Sequence, residues 1–421
     1  MLLGCGKVKG LVDNEAARSP QVLRALNARR MLAYAWETSA FTASDAMTGV
    51  GLTRTTVIDV CDALVRDGWL EELSDARAAG DYAKGRPARR YALRDRAGIV
   101  VGLDAGFDRM SAVSADLRGR VVAESSMRIP ARFPPLGDGA ADAEERRALA
   151  RRLVDDVIAR SGATDRDVLA VSIAVPAPVD SAGFSPEDET GFWRIMNPRL
   201  AEAVAGVAPI VAIENDANLA AIAEQAALTG LGHDVDSFIA LLVGEGIGAG
   251  LMVDRRLIRG RRGGAGEMRF LDHVEGVRSA DGLALLARQW AAEAVAAGEG
   301  GALAHHESPD ENDVATAAHA GDAVATRIID RLADRLARIC LVLGDLLDVD
   351  RIVVGGAVAE TLPDVIDRAA VILASSDDPT VPQLLASSLK QDAVRIGAVE
   401  HALALVRENA LDLRGGVVRV A

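Results

Sequence analysis

Residues 101–110 read "VGLDAGFDRM". An apolar run carries Asp104 and Gly106 to its end, as a strand does when it turns back over a phosphate held by backbone amides. The next two positions, Phe107 and Asp108, are bulky and acidic where such a phosphate needs bare backbone. The stretch therefore reads either as a phosphate-binding turn or as a turn of that shape put to another use. Around it, "AGIVVGLDAGFDRMSAVSADLRGRVVAE" (97–124) predicts two or three strands in hairpin succession, with Gly119 in the second turn.

Further along, "DVLAVSIAVPAPVD" is a buried strand running into a Pro-broken loop, and "PIVAIENDANLAAIAE" a strand entering a helix at "ENDAN" (214–218). "SFIALLVGEGIGAGLMVDRRLIRG" reads as strand, Gly-rich turn and strand, and "RIVVGGAVAE" as strand, Gly-Gly turn and helix start. Strands alternating with helices predict an α/β architecture, with ligands expected at the strand ends.

A chain of 421 residues is long enough for two or three domains. Half its residues are apolar and 26% are charged, which suits a soluble globular protein. Its longest apolar stretches, "LALLARQWAAEAVAA" and "ICLVLGDLL", are broken by charge or fall short of the roughly 20 residues of a membrane helix. "MLLGC" has the look of a lipoprotein cleavage site ending at Cys5, but no basic leader and apolar stretch precede it. The three cysteines, Cys5, Cys61 and Cys340, are far apart, which suits a reducing cytoplasm and supplies no zinc cluster. A cytoplasmic location is expected.

The net charge of −14 argues against nucleic acid only until its distribution is considered. Residues 1–95 carry a net +2 and the remainder −16. Within the first part, "SPQVLRALNARRMLAYAWE" has helical apolar spacing, with Ser19 placed to cap and Pro20 at the first helical position. "TASDAMTGVGL" predicts a short helix from Thr42 ending near Gly49–Gly51, and "TRTTVIDVCDALVRDGWL" a longer one that Thr53 caps and Gly68 closes. Two helices across a Gly-bearing turn make a helix-turn-helix pattern. "WLEEL" and "RRYALR", joined by the basic, Gly/Ala-rich "SDARAAGDYAKGRPA", add the hairpin of a winged helix. The candidate base readers are Thr53, Arg54, Thr55 and Thr56 at the start of the second helix of the motif; Lys84, Arg86 and Arg89 are the candidate phosphate or minor-groove contacts. A bland alternative is a trihelical protein-interaction module with ordinary surface arginines.

The order of these motifs resembles the ROK family (repressors, open reading frames and sugar kinases), and within it the repressor branch. "GLTRTTVIDVCDALVRDGWL" and "GRPARRYAL" are similar to that branch's DNA-binding half; "AVPAPVD", "ENDAN", "GIGAG", "GAGE" and "VVGGAVAE" are similar to the family's body. The resemblance covers nearly the whole chain. It implies a winged helix-turn-helix over 1–95, followed over 96–421 by a two-lobed actin-like (ribonuclease H-like) sugar-kinase fold that also serves oligomerisation.

The resemblance further implies sugar contacts from Asn197, Asn215, Asp216 and Glu267, with Asp216 at the position of the catalytic base. A carboxylate there accepts a hydrogen bond from a sugar hydroxyl whether or not phosphate is transferred. The phosphate side departs from the pattern. After Asp104 and Gly106 the family's Gly-Thr is replaced by Phe107 and Asp108, and the second turn, Gly-Thr-Gly in the kinases, is Gly244, Glu245, Gly246. Carboxylates aimed at ATP would repel it, so no kinase activity and no cofactor are expected; the alternative is an ATP-dependent sugar kinase that also binds DNA. The zinc pattern of the family is missing as well. Arg269 and Phe270 stand at its Gly-His positions, no cysteine follows, and His273 alone makes no site. His305, His306 and His319 lack ligand spacing, and the acidic residues of "RFPPLGDGAADAEERR" read as the solvated face of a helix. The expected partners are operator DNA, a small carbohydrate effector and further copies of the chain in a homodimer or homotetramer.

Overall fold

The computed structural model describes residues 20–73, 88–129, 139–188, 190–376, 378 and 380–414. Packing divides the chain into two compact units. One takes residues up to Ile99 together with Asp116–Arg118 and the chain from Ala404 onward; the other comprises Val100–Ala115 and Gly119–Leu403.

The first unit runs α1 (Pro20–Glu37), β1 (Phe41–Thr42), α2 (Ala43–Val50), α3 (Arg54–Arg66), β2 (Leu70–Leu73) and β3 (Arg90–Leu93). The helix boundaries follow from local chemistry. Thr42 and Asp45 close a capping box on α2, whose far end is turned by Gly51 at φ 70°, and the Thr53 hydroxyl accepts from Thr56 N to cap α3. On α3, Val57, Val60, Cys61 and Leu64 recur at helical spacing and are buried, and fully buried Trp69 and Tyr91 complete that core. The strands order as β1-β3-β2, with Leu70 opposite Leu93 and Leu73 opposite Arg90, which is the sheet of a winged helix.

Two later parts of the chain belong to this unit. The Arg118 guanidinium donates to the carbonyls of Ala35 (3.3 Å), Trp36 (2.5 Å) and Thr38 (2.8 Å) and to the Asp95 carboxylate (2.9 Å). It thereby satisfies carbonyls that α1 leaves open at its C-terminus. Trp36 Nε1 donates to Leu117 O at 3.0 Å. Arg414 sits 4.6 Å from the centroid of the Trp69 ring and donates to the carbonyls of Asp67 and Ala97.

The remaining strands form two five-stranded sheets. The first, ordered β6-β5-β4-β7-β8, is built from β4 (Ile99–Ala105), β5 (Arg109–Asp116), β6 (Val121–Arg128), β7 (Val168–Val175) and β8 (Ile210–Asn215). α4 (Ala140–Ser161) lies between β6 and β7 in the chain, α5 (Phe192–Met196) and α6 (Leu200–Ala203) precede β8, and α7 (Asp216–Ala226) follows it. The second sheet, ordered β11-β10-β9-β12-β13, is built from β9 (Phe238–Val243), β10 (Ile247–Val253), β11 (Arg256–Ile258), β12 (Arg351–Gly355) and β13 (Gln383–Ala386). Here β12 runs parallel to both β9 and β13. α8 (Leu283–Ala296), α9 (Glu311–His319), α10 (Ala323–Leu347), α11 (Val358–Thr361) and α12 (Pro363–Ala374) belong to this lobe, and α13 (Ala393–Arg414) ends the described chain.

One large core joins Ile239 and Leu241 of β9 to Leu332 and Leu336 of α10 and Val365 of α12. A second joins Leu219 and Ala223 of α7 and Ala398 of α13 to Phe238 and Ala240 of β9 and Ala174 of β7, so these two helices lie between the sheets. The architecture is the two-lobed α/β body expected behind a winged helix. It presents the C-terminal ends of β4, β8 and β9, where the sequence motifs fall.

Candidate functional site

The "ENDAN" segment is the junction of β8 and α7. Asn215 is the N-cap of α7: its Oδ1 accepts from Asn218 N at 3.0 Å, and its Nδ2 donates to Ala177 O, 3.2 Å away in the "AVPAPVD" loop. Asp216 is the first helical residue and accepts from Ala217 N at 2.8 Å. Beneath them Glu214, 4% exposed, accepts from Asn215 N (2.9 Å), Asn218 Nδ2 (2.9 Å) and Arg259 Nε (2.6 Å). Arg259 begins the loop that carries Glu267, so this buried carboxylate ties the "ENDAN" turn to the "GAGE" turn.

Close backbone approach explains Gly250, Gly263 and Gly266 around Glu267. Glu267 bridges Gly248 of β10. A Cβ on Gly250 would lie 2.2 Å from Ala217 O, and one on Gly263 would lie 1.8 Å from Val179 O. Only bare backbone lets β10 lie on the start of α7 and the Glu267 loop lie on the "AVPAPVD" loop.

Three carboxyl groups meet here. Burial pushes Asp216 up to about 7, with Asp104 and then Glu267 adding repulsion. Burial also pushes Asp104 up to about 6, against the pull of Arg146 and Arg395, and raises Glu267. A carboxyl group near 7 is equipped to accept a hydroxyl proton or to hold a hydroxyl by hydrogen bonding. Asn197 is placed differently: buried at the C-terminus of α5, it donates through Nδ2 to Gly183 O (3.1 Å) and Ser185 Oγ (3.0 Å).

Protein groups attend both turns that the resemblance assigns to phosphate. Arg146 of α4 donates to the carbonyls of Ala105 (2.7 Å) and Gly106 (3.1 Å), and the Phe107 ring lies 6.0 Å from that of Phe192. Asp108 is exposed. In the second turn Glu245 is paired with Arg288 of α8 at 2.5 Å. Arg288 also pairs with Glu311 at 2.8 Å, so the two acids share one cation and the group keeps a net negative charge. On α4, Glu144 and Glu145 are exposed as read from the sequence, while Arg146 beside them is 3% exposed, sealed by the carbonyls it binds. Neither arginine stands out in the sequence, since Arg146 binds backbone carbonyls 40 and 41 residues away and Arg288 reaches acids 43 and 23 residues away.

Among the described residues no group of three His, Cys, Asp or Glu side chains is arranged to hold a metal. His306 faces Asp313 at 3.2 Å, and burial raises the Cys61 thiol to about 12, which leaves it protonated and inert. No helix among the described residues is long and apolar enough to cross a membrane.

On the first unit, Arg54 and Thr55 are exposed at the start of α3, while the Thr53 and Thr56 hydroxyls share a 2.9 Å hydrogen bond. Arg89 is held at the base of the hairpin by Glu72 (2.5 Å) and Asp62 (2.9 Å) and lies over the Tyr91 ring. Lys84, Arg86, Ser19 and Cys5 lie outside the described residues.

The chain is 27% identical over 227 residues to the xylose repressor of Caldicellulosiruptor bescii, covering 52% of this chain and 51% of that protein. It spans about half the length of the curated repressors it matches. The crystal structure of a ROK family transcriptional regulator, a homologue of the E. coli MLC protein, superposes with a TM-score of 0.69 at 19% identity, covering 94% of this chain and all of that one. A ROK family glucokinase from Streptomyces griseus in complex with glucose and AMPPNP superposes with a TM-score of 0.56 at 25% identity, over 72% of this chain and 99% of that one. Residues 100–405 match the ROK family itself, and the chain belongs to that family.

Proposed function

We propose that the chain is a transcriptional repressor of carbohydrate-metabolism genes, controlled by a small sugar bound at Asn215, Asp216 and Glu267. The observation that carries this reading is the joining, in one chain, of a winged helix with an exposed α3 start to the neighbouring carboxyl groups of Asp104, Asp216 and Glu267. The first 95 residues supply the DNA-binding domain, with Thr53, Arg54, Thr55 and Thr56 nearest the base edges and Lys84, Arg86 and Arg89 nearest the backbone. Residues 96–421 supply the effector body. The likeness to xylose repressors makes D-xylose the first effector to test.

A homodimer or homotetramer in the cytoplasm reads a symmetric operator when its two α3 helices stand about 34 Å apart. Sugar that prefers one arrangement of the lobes by about 1–3 kcal/mol shifts DNA affinity about 5- to 150-fold. No cofactor takes part in this reading. A gel-shift titration on DNA upstream of the gene, with and without D-xylose and D-glucose, tests it.

A second reading, an ATP-dependent sugar kinase that also binds DNA, is favoured by one observation, the Asp216 carboxyl raised to about 7 by burial beside Asp104 and Glu267. Sugar phosphorylation abolished by Asp216→Asn would establish it. The protein side chains that attend both phosphate turns weigh against it.

A further inference from the structure

Aromatic rings carry more apolar surface than any other side chain and ordinarily dominate a core. Among the described residues of 100–226 the aromatics are Phe107, Phe184, Phe192 and Trp193, and none of them is buried. Phe184 is 47% exposed, and Phe107, Phe192 and Trp193 are partly exposed, while the buried side chains around β4, β7 and α4 are aliphatic. Core packing therefore does not account for where this part of the chain places its rings.

Two of the rings meet. Phe107 and Phe192 have centroids 6.0 Å apart and planes inclined at 41°, within the range of a favourable aromatic pair. The backbone fixes both. Phe107 stands at the tip of the β4–β5 turn, where a Cβ on Gly106 would lie 2.8 Å from Arg109 O and where Arg146 donates to the carbonyls of Ala105 and Gly106. Ile129 N donates to Asp108 O at 2.7 Å and holds the other side of that turn. Phe192 opens α5, and the Asp188 carboxylate accepts from Phe192 N at 3.1 Å and from Trp193 N at 3.0 Å.

The same two segments carry polar groups of the candidate sugar site. Asp104 lies three residues before Phe107 and is close enough to Asp216 to repel its negative charge. Asn197 caps the end of the helix that Phe192 begins, and it ties that end to Gly183 O and Ser185 Oγ. A pre-set, partly exposed aromatic pair thus adjoins groups suited to sugar hydroxyls. Sites of this composition, an apolar wall beside a few placed polar groups, take ligands that present an apolar surface next to their hydroxyls.

Resting on the sugar reading of Asn215, Asp216 and Glu267, we propose that Phe107 and Phe192 form an aglycone subsite, so that the preferred effector is an aryl glycoside, a sugar carrying a flat apolar group. The sugar hydroxyls meet the carboxyl groups, and the aromatic aglycone packs on the paired rings. The same sugar without the aglycone occupies the site more weakly.

The test is calorimetric titration of the full chain with methyl and 4-nitrophenyl glycosides of D-xylose and D-glucose, in both anomers. It compares wild type with Phe107→Ala and with Phe192→Leu, which keeps an apolar side chain of similar size; thermal melting checks that each variant folds. Wild type is expected to bind a 4-nitrophenyl glycoside at least about 10-fold more tightly than its methyl counterpart, and the ratio is expected to fall below about 3 in Phe107→Ala and to drop in Phe192→Leu. Methyl glycosides bound as tightly as the aryl ones would overturn the aglycone subsite while leaving the sugar reading in place. An aryl preference that both variants keep would do the same. If neither kind of glycoside binds, the sugar reading fails and the aglycone subsite fails with it.

Discussion

Arg118→Ala tests whether the N-terminal unit is completed by residues from later in the chain. The Arg118 side chain is 17% exposed and makes four hydrogen bonds within the unit, three to carbonyls of Ala35, Trp36 and Thr38 and one to Asp95. A hydrogen bond to a charged group contributes about 1.5–3 kcal/mol net, but the four share one guanidinium and water replaces part of them, so the expected loss is about 2–4 kcal/mol. The loss falls on the C-terminal turn of α1, whose Trp36 and Ala35 are core residues of the unit. Urea denaturation followed by circular dichroism gives the magnitude, and amide hydrogen exchange across α1 gives the location. Arg118→Lys keeps a charge beside Asp95 but cannot span three carbonyls, and it should recover less than half of the loss. A fragment of residues 1–95 lacks both Arg118 and Arg414 and should unfold far more easily than the same residues in the whole chain. An Arg118→Ala protein within about 0.5 kcal/mol of wild type, the range of an ordinary surface substitution, with unchanged exchange in α1, would refute the reasoning.

Other outcomes follow from the cleft. Arg259→Ala removes one of three donors to the buried Glu214 carboxylate; because the guanidinium is half exposed, the expected cost is about 1–3 kcal/mol, and Arg259→Ala with Glu214→Gln should recover most of that in thermal melting. Gly250→Ala drives a methyl group to 2.2 Å from Ala217 O; β10 must move, with a loss of about 1–3 kcal/mol and weakened sugar binding by calorimetry. Asp216 is raised from its ordinary 3.8 to about 7 in the fold, so its contribution to stability is complete below about pH 4 and is lost as the pH climbs through 7. Asp216→Asn should therefore melt above wild type at pH 8 and level with it near pH 4, and equal melting at pH 8 would contradict the raised value.

The parts legible in the sequence are those whose causes are local. Thr42 with Asp45, Thr53, and the Gly51 and Gly68 turns mark the helices of the first unit within a few residues of one another. The "ENDAN" turn places Asn215 and Asp216 together because one is the cap and the other the first residue of the same helix. What sequence reading missed depends on distant partners. Arg146, Arg118 and Arg288 bind groups 40 or more positions away, several of them carbonyls, which every residue carries and no motif marks. Glu245 shows the consequence: its position in a glycine turn is visible in "GEG", but the arginine it shares with Glu311 is one that the sequence does not point to. The tie between Glu214 and Arg259 was hidden for the same reason, although both residues lie within or next to recognised motifs.

The central claim, a DNA-binding regulator governed by a sugar in the three-carboxylate cleft, is tested most directly by gel-shift titration of the full chain on DNA from upstream of its gene. D-xylose and D-glucose are added in turn, and Glu267→Ala serves as the cleft control. The account predicts specific binding at near-physiological salt that one sugar shifts by about 5-fold or more, with the shift lost in Glu267→Ala. Binding no tighter than to random DNA, or specific binding that both sugars leave unchanged, would contradict it.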